Sequence, residues 1–347
     1  MMKTANKISL LMLASMIVAL LLACGGDDND DRDTATTPSL TAANLTEDGY
    51  FDGMLYYQIT SNSPNEVSIA KAAKAAVKIE IPAQINIEGK TYKCTSITKK
   101  AFDDCKGLLS IKIGKNVVSI NISAFYNCTA LEEISVDKGN TSFDSRDNCN
   151  AIVDTRHNSI IVGCKSTTFP KDVFTIGSYA FYKRSGLVKL DLPANIYFID
   201  KMAFYDCDDL VDVSIMASCV GEYAFSDCSK MKSINLGPYM MLIGENAFYR
   251  CDVLRTVRCL RTRGIPDYGY NISFNEGERP TENTYISMIS FSDENFSCYI
   301  TYEHKRSFDV FDSETYWYGT LYVSKGMAEE YQKENGWGQF GKIEEEG

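Results

Sequence analysis

ITKKAFDDCKGLLSIKI, at residues 97–113, carries the pattern that decides the fold. Its framework is Ile-x3-Ala-Phe-x2-Cys-x2-Leu-x2-Ile-x-Ile, where x is any residue. Five further copies follow, and they begin at Ile120, Ile176, Ile199, Val220 and Ile243. Within the two uninterrupted runs the copies start 23, 23, 21 and 23 residues apart. This self-similarity is the sequence signature of a repeat architecture.

The physics of one copy predicts how the copies assemble. The Leu-x2-Ile-x-Ile end alternates inward and outward residues, which predicts a short strand. The Ala-Phe pair lies on the other side of the coil, where a small residue allows close approach and a ring fills space. One copy cannot close a core, but stacked copies bury their apolar residues and pair their strands in parallel. Each large buried side chain contributes ~1.5–3 kcal/mol, so six copies offset an ordering cost that one copy cannot.

The repeat resembles the leucine-rich repeats of BspA-type bacterial surface proteins, and the resemblance covers nearly the whole mature chain. It implies an α/β solenoid, a right-handed coil with short parallel β-strands. A β-rich N-terminal region is expected at residues 46–96 and the repeats at 97–260, with an interruption at 137–175. A strand followed by a helix is expected to cap the last coil at 319–347, because that coil otherwise exposes its apolar face.

The N-terminus predicts export and lipidation. Residues 1–23 have a positive start, an apolar run and a small residue at the break, as in a signal peptide. A retained membrane anchor is the alternative, but the run is short of the ~20 apolar residues that a spanning helix needs. LLAC, at residues 21–24, resembles a bacterial lipobox, which implies acylation of Cys24. The acidic residues 24–45 are expected to form a flexible tether, and the protein is expected on the outer membrane, facing the exterior.

Composition and motifs argue against several functions. The 347 residues include 46 acidic and 35 basic side chains, and the net charge of −11 argues against nucleic-acid binding. The two histidines, His157 and His304, lie outside any catalytic motif. Paired ligands such as Cys-x2-Cys are lacking, so no metal is expected. We therefore expect no enzymatic activity, no cofactor, and membrane attachment through the lipid alone.

The cysteines follow the repeat. Five hold one position in the copies, where Arg184 replaces a sixth: Cys105, Cys128, Cys207, Cys228 and Cys251. Small buried side chains are the expected role of this column. Disulfides between neighbouring coils are the alternative, but the odd number shows that pairing is not required. Cys149 and Cys164, in the interruption, could bridge in an oxidising compartment.

Exposed strand positions form the recognition face of many solenoids. Here that row is polar and mixed in charge. The candidate ligand-binding residues are Lys112, Glu133, Lys189, Asp191, Asp212, Asn235 and Arg258. Two readings stay open, a surface that binds a protein and a plain solvated sheet.

An aromatic-rich insertion at residues 261–318 departs from the family pattern. It holds 13 of the 40 aromatic residues, about 22% of its length against 12% for the chain. The clustered candidates are Tyr268, Tyr270, Tyr316, Trp317 and Tyr318. Such rings suit a protein hot spot or a stacked sugar, or they pack the insertion against the solenoid.

The resemblance implies a cell-surface, non-catalytic binding module for adhesion. The expected partners are host extracellular-matrix proteins or microbial surface proteins. The alternative is a glycan-binding lipoprotein of a polysaccharide-capture system that uses the aromatic insertion.

Overall fold

The computed structural model describes residues 37–261, 264–276, 285–290, 297–304 and 310–346. The predicted signal peptide at residues 1–23 and the predicted acylation of Cys24 lie outside the described residues. So does the tether from residue 24 to 36. Within the described residues, no helix is long and apolar enough to cross a membrane.

A β-rich region precedes the repeats. Its strands are β1 (Ser39–Leu40), β2 (Leu45–Thr46), β3 (Gly49–Phe51), β4 (Leu55–Asn62), β5 (Asn65–Ala72), β6 (Lys78–Glu80), β7 (Gln84–Ile87) and β8 (Lys90–Ile97). All but β6 lie in one sheet, in the order β1-β7-β8-β5-β4-β3-β2. This sheet packs its buried residues into the same core as the first two repeats.

The last residues of the predicted tether are structured. β1 pairs in parallel with β7, and Leu40 is buried with 4% of its surface exposed. A 3-10 helix follows at Ala42–Asn44. The expectation of flexible chain through residue 45 is therefore wrong for residues 39–45, because one buried leucine and a two-residue pairing leave no periodic signal in the sequence.

The first face of the solenoid consists of the predicted strands. They are β9 (Ser110–Ile113), β11 (Glu133–Val136), β16 (Lys189–Leu192), β18 (Asp212–Ile215), β20 (Ser233–Leu236) and β22 (Thr256–Cys259). Neighbouring strands pair in parallel with each residue opposite its repeat equivalent. β6, β9 and β11 form a three-stranded sheet, and β16 begins a separate six-stranded sheet. The break between them is the interruption.

Shorter strands form the second face. They are β10 (Ser119–Ile120), β15 (Thr175–Ile176), β17 (Phe198–Ile199), β19 (Cys219–Val220) and β21 (Leu242–Gly244). β10 pairs with β8, and the other four pair with one another in chain order. Each coil therefore has one strand on each face, and turns join them.

The coil is a β-solenoid with few helices, which corrects the α/β expectation. Residues before the Ala and before the Cys position have positive φ, and turns replace the helical side of the coil. They include Lys100, Asp104, Asn127, Tyr179, Lys183, Met202, Asp206, Tyr223, Asp227, Asn246 and Arg250. A left-handed residue ends any helical run, because a helix requires consecutive residues with negative φ. The described residues contain two short α-helices, both after the repeats.

The phenylalanines stack in file, as the repeat predicts. Phe102 and Phe125 have ring centroids 4.9 Å apart. A second stack runs from Phe181 with centroid distances of 4.7, 5.0, 5.5 and 5.1 Å between successive rings. It extends beyond the last predicted copy to Phe311. The interruption separates the two stacks.

The cysteine column is a column of buried thiols. In the regular coils each thiol donates a hydrogen bond to the carbonyl of the preceding coil's phenylalanine, and the Sγ–O distances are 3.1–3.3 Å. Ten cysteines have described side chains; all ten are buried, and none forms a disulfide with another of them. The alternatives of a disulfide along the column and of a Cys149–Cys164 bridge are therefore excluded in this structure.

The interruption forms an antiparallel hairpin that begins a separate sheet of the second face. Its strands β12 (Phe143–Asp144), β13 (Ile152–Asp154) and β14 (Ser159–Val162) are antiparallel, with a 3-10 helix at Arg146–Asn148. β14 then pairs in parallel with β15. On the first face, the side chain of Asn150 closes the free edge of β11, accepting from Ile134 N at 2.6 Å and donating to Glu132 O at 2.8 Å.

Arg184 bridges the gap where the cysteine column breaks. It is buried, and its Nε donates to Gly163 O at 2.9 Å. Its Nη1 donates to Cys128 O at 3.0 Å and, at 3.4 Å, to Phe125 O. Burial lowers the pKa of the guanidinium. The long side chain of Arg184 thus reaches Phe125 O, which is equivalent to the phenylalanine carbonyls that the thiols reach in regular coils.

The insertion rejoins the solenoid before its predicted end. Strands β23 (Asp267–Glu276), β24 (Tyr285–Ser290) and β25 (Ser297–His304) extend the second-face sheet. From Val310 onward the chain is again a coil, because Phe248 N donates to Val310 O at 2.9 Å. The remaining elements are α1 (Ser313–Tyr318), β26 (Thr320–Ser324), α2 (Ala328–Lys333), a 3-10 helix (Trp337–Gln339) and β27 (Lys342–Glu346). β26 and β27 continue the first face in parallel. The expected cap of a strand followed by a helix at 319–347 is not confirmed, because strand β27 follows the helix and extends the sheet.

Candidate functional site

The predicted polar row lies on the first face, but in two groups. Lys112 and Glu133 belong to the three-stranded sheet. The others project from the six-stranded sheet: Lys189, Asp191, Asp212, Asn235 and Arg258. The interruption separates the groups, so the row is not one continuous surface.

Most polar groups of this row bond to the neighbouring strand. Lys112 pairs with Glu80 at 2.8 Å, and Ser110 donates to Glu133 at 2.8 Å. Ser233 donates to Asp212 at 2.6 Å. These contacts hold the side chains along the ladder, where water also reaches them. The row therefore has the character of a solvated sheet at its centre.

Lys189 and Asp191 pair within one strand. The Nζ–Oδ2 distance is 2.7 Å, and the hydrogen bond raises the pKa of Lys189. Both side chains are more than half exposed. An exposed pair of this kind contributes little to stability because water screens it, so both side chains are available to a partner.

The C-terminal end of the first face differs from its centre. Five residues there form what we call the C-terminal aromatic surface: Arg255, Arg258, Trp317, Tyr318 and Tyr322. Trp317 and Tyr318 are 74% and 64% exposed. Two cation–π pairs lie beside them: the Cζ atom of Arg255 is 5.8 Å from the Tyr318 ring centroid, and that of Arg258 is 5.0 Å from the Tyr322 centroid.

Helix α1 presents this surface. Its N-cap Asp312 accepts a hydrogen bond from Glu314 N at 2.9 Å. The last two residues of the helix, Trp317 and Tyr318, point outward, whereas Tyr316 points inward. A Cβ atom on Gly341 would lie 2.8 Å from Trp317 O, so glycine lets β27 approach the helix.

Tyr316 is a core residue rather than a binding residue. It is 4% exposed and packs edge-on against Phe311 and Phe340, with centroid distances of 5.7 and 5.2 Å. Helical geometry explains the correction, because successive residues turn ~100° and three adjacent rings cannot share one face.

Tyr268 and Tyr270 lie on β23. Their backbones are in register with Ile243 and Gly244 of β21. Their side chains lie outside the described part of the structure, so their role in binding stays a prediction.

A row of stacked tyrosines was not predicted from the sequence. The ring of Tyr126 stacks on that of Tyr182 at 4.8 Å and contacts that of Tyr179 at 4.9 Å, and Tyr182 stacks on Tyr205 at 5.3 Å. The signal was available, because an aromatic residue follows Ala-Phe in four of the six copies. Burial raises the pKa of Tyr126 and Tyr205. The rings cover one another's faces, which leaves mainly edges for a ligand.

Groups that could support chemistry are dispersed. His157 contacts Asp154 at 3.2 Å, within the interruption. Across the described residues, no three His, Cys, Asp or Glu side chains are placed to hold a metal. Burial raises the pKa of Cys149 to about 11 and that of Cys128 to about 12, so these thiols are protonated at neutral pH.

Comparison with known families identifies the repeat. The model of the BspA type leucine rich repeat region matches six copies at residues 79–153 and 159–275, more than half of the chain. The chain belongs to the BspA-type leucine-rich repeat family. No curated protein matches it.

Several solved structures are similar to this BspA-type chain. One is a leucine rich cell surface protein of Faecalibacterium prausnitzii, with 16% identity, 60% of this chain and 88% of that chain covered, and a TM-score of 0.37. A leucine-rich repeat protein of Bacteroides ovatus has 23% identity, 61% and 52% coverage, and a TM-score of 0.42. The pneumococcal vaccine antigen PcpA has 17% identity, 78% and 68% coverage, and a TM-score of 0.41.

Proposed function

We propose that this BspA-type protein is a non-catalytic binding module of the bacterial surface, which adheres to host extracellular-matrix or microbial surface proteins. Proteins of the family are typically found on bacterial surfaces. The observation that carries the proposal is the C-terminal aromatic surface, where Trp317 and Tyr318 are 74% and 64% exposed although the adjacent Tyr316 is buried.

The composition of this surface favours a protein partner. Trp, Tyr and Arg are the residue types enriched among interface hot spots, because each buries a large area and retains a polar group. Arg255 and Arg258 already lie over aromatic rings, so their positions are partly fixed before binding. Prior ordering reduces the entropic cost of association. The polar first face then forms a hydrated rim beside the hot spot.

The test is binding of the purified chain to immobilised collagen, laminin and fibronectin and to whole bacterial cells. Trp317→Ala is expected to weaken binding at least tenfold, as for a hot-spot residue worth about 1.4 kcal/mol or more. Tyr239→Ala is the matched control, because Tyr239 is 63% exposed but lies outside the surface. Equal binding by both variants and the wild type contradicts the proposal.

Membrane attachment belongs to the same proposal. The LLAC sequence at residues 21–24 supports acylation of Cys24 and display on the outer membrane. Several acyl chains anchor a protein far more firmly than one chain does. Mass spectrometry of the mature N-terminus tests this directly, and Cys24→Ala is expected to abolish the acyl mass and release the protein from cells. An unmodified Cys24 in membrane-bound protein contradicts it.

Glycan capture is a second candidate, favoured by the 74% exposure of Trp317. An exposed indole face can stack on a sugar ring. A glycan array separates the two candidates. Sugar binding that is lost in Trp317→Ala and kept in Trp317→Phe, with no protein binding, favours glycan capture over adhesion.

A further inference from the structure

The second face has an open strand edge where the ladder breaks. β10 pairs with β8 along one edge, and no described strand pairs with its other edge. A cleft of about 430 Å³ lies there, which we call the ladder-break cleft. Its lining includes Val118, Ile120, Ile122, Phe143, Arg156 and Ile161.

The repeat itself shows what is missing from this cleft. Ile120 holds the same repeat position as Ile176 and Ile199. The carbonyls of those residues accept hydrogen bonds from the next coil, with Asp200 N at 2.9 Å from Ile176 O and Gly221 N at 2.7 Å from Ile199 O. After the second copy the chain enters the interruption, and no described strand pairs with β10 as the next rung. The backbone at Ile120 therefore offers a strand the same pairing that regular coils use.

The corresponding break on the first face is closed. The side chain of Asn150 occupies the edge of β11 through its bonds to Ile134 N and Glu132 O. On the other side of that break, β16 is followed by Pro193, which has no N–H to donate. Proline and covering side chains are the usual protection of an edge against added strands. No proline flanks β10, and no described strand covers its outer edge.

The side chains around the cleft indicate what kind of strand it fits. Val118 and Ile122 flank Ile120 and are 52% and 57% exposed, so apolar surface is offered beside the backbone edge. The side chain of Asp154 is only 10% exposed, whereas that of its partner Arg156 is 65% exposed. Of the two charged side chains that line the cleft, Arg156 is therefore the more accessible to a ligand, although the chain carries −11 overall.

We propose that the ladder-break cleft binds an extended acidic peptide segment of a partner protein, which adds as a strand beside β10. Main-chain hydrogen bonds hold such a segment, alternate apolar side chains select it, and a carboxylate meets Arg156. The site is separate from the C-terminal aromatic surface, and the inference does not rest on the proposed function.

The experiment uses a phage library of twelve-residue peptides panned against the purified chain. Enriched peptides are expected to carry apolar residues at alternate positions and at least one Asp or Glu. Their affinity is expected to fall at least tenfold in Ile122→Arg, which fills the cleft from an exposed position, and in Arg156→Glu. Val188→Arg is the control, since Val188 is 56% exposed just before β16 on the first face.

Backbone methylation of an enriched peptide tests the pairing itself. Only alternate N–H groups of an added strand face β10. Methylation of every second nitrogen is therefore expected to abolish binding in one register and to spare it in the other. The inference is overturned by a library without enriched peptides, by equal binding to Ile122→Arg, by insensitivity to the methylation register, or by peptides whose binding depends on Trp317 instead.

Discussion

Replacing Arg184 by cysteine gives the third copy the residue that the other five copies carry. Repeat consensus alone predicts a more stable solenoid from this change. The structure predicts the opposite, because the interruption lies between this coil and the preceding one. Arg184 reaches carbonyls of the preceding coil and of the interruption, whereas a thiol in a regular coil reaches one phenylalanine carbonyl.

The magnitude follows from the hydrogen bonds that are lost. Two of the guanidinium bonds, to Gly163 O and Cys128 O, are 2.9 and 3.0 Å long. A cysteine has one donor, so at least one buried carbonyl loses its partner, at a cost of ~1–3 kcal/mol. The cavity left by the longer side chain adds about 1–2 kcal/mol. Relief of the desolvated charge offsets part of this, and we expect a net loss of about 2–3 kcal/mol.

Native-state hydrogen exchange read by mass spectrometry is the suitable assay, since repeat proteins unfold in segments. Arg184→Cys is expected to lower the opening free energy of the coils at 125–135 and 180–190. Cys228→Ala is the control within a regular stack. Its loss of exchange protection is expected to be smaller and to stay near residues 225–235. Wild-type or higher protection in Arg184→Cys refutes the bridging role of the arginine.

Three further predictions concern stability. Met202→Asn is expected to raise the free energy of unfolding by up to ~1 kcal/mol, because Met202 has a φ of 53° and asparagine holds the same repeat position at Asn246. A lower melting temperature of the variant contradicts this. Gly341→Ala is expected to destabilise helix α1, because the added Cβ meets Trp317 O at 2.8 Å; an unchanged Trp317 fluorescence and melting curve contradicts it. Burial raises the pKa of Cys149 to about 11 and that of Cys128 to about 12. A thiol in the unfolded chain has a pKa of ~8.5. The free energy of unfolding is therefore expected to be unchanged below pH ~8.5 and to fall as the pH rises toward 11–12. Denaturant titrations at pH 7 and pH 10 check this, and rapid modification of Cys128 or Cys149 in the native protein by a thiol reagent at pH 7 contradicts their burial.

The first-face strands and the stacked phenylalanines were predictable because they repeat. Alternation at the end of each copy indicates which residues point inward, and a residue at a constant repeat position forms a column. The same logic places the five cysteines in line. Their role as donors to phenylalanine carbonyls required the structure, because sequence spacing does not show which group a thiol reaches.

The turns that take the place of the expected helical side of the coil were not predictable from the residues themselves. Left-handed backbone is favoured by glycine and asparagine, yet Lys100, Tyr179 and Met202 adopt it here. These residue types give no turn signal in the sequence. The expectation of an α/β solenoid therefore rested on the family resemblance alone. The surrounding ladder fixes their conformation, which is a tertiary effect.

The candidate site was predicted in part. The insertion was identified by its aromatic content, and two of its five candidate rings, Trp317 and Tyr318, are exposed. A further coil begins at Phe311, but its repeat pattern is imperfect. Phe311 and Leu321 are one residue farther apart than the equivalent residues of the six copies, so the sequence did not reveal this coil. That coil buries Tyr316 and places Tyr322 beside Arg258. Tyr322 was therefore missed, although it continues the first-face row.

Hydrogen exchange of the chain bound to a matrix or cell-surface protein tests the central claim most directly. The account predicts that binding slows exchange at 255–259 and 313–324, which carry the C-terminal aromatic surface, and leaves the strands at 212–215 and 233–236 unchanged. Protection confined to those central strands, with none at 313–324, would contradict it.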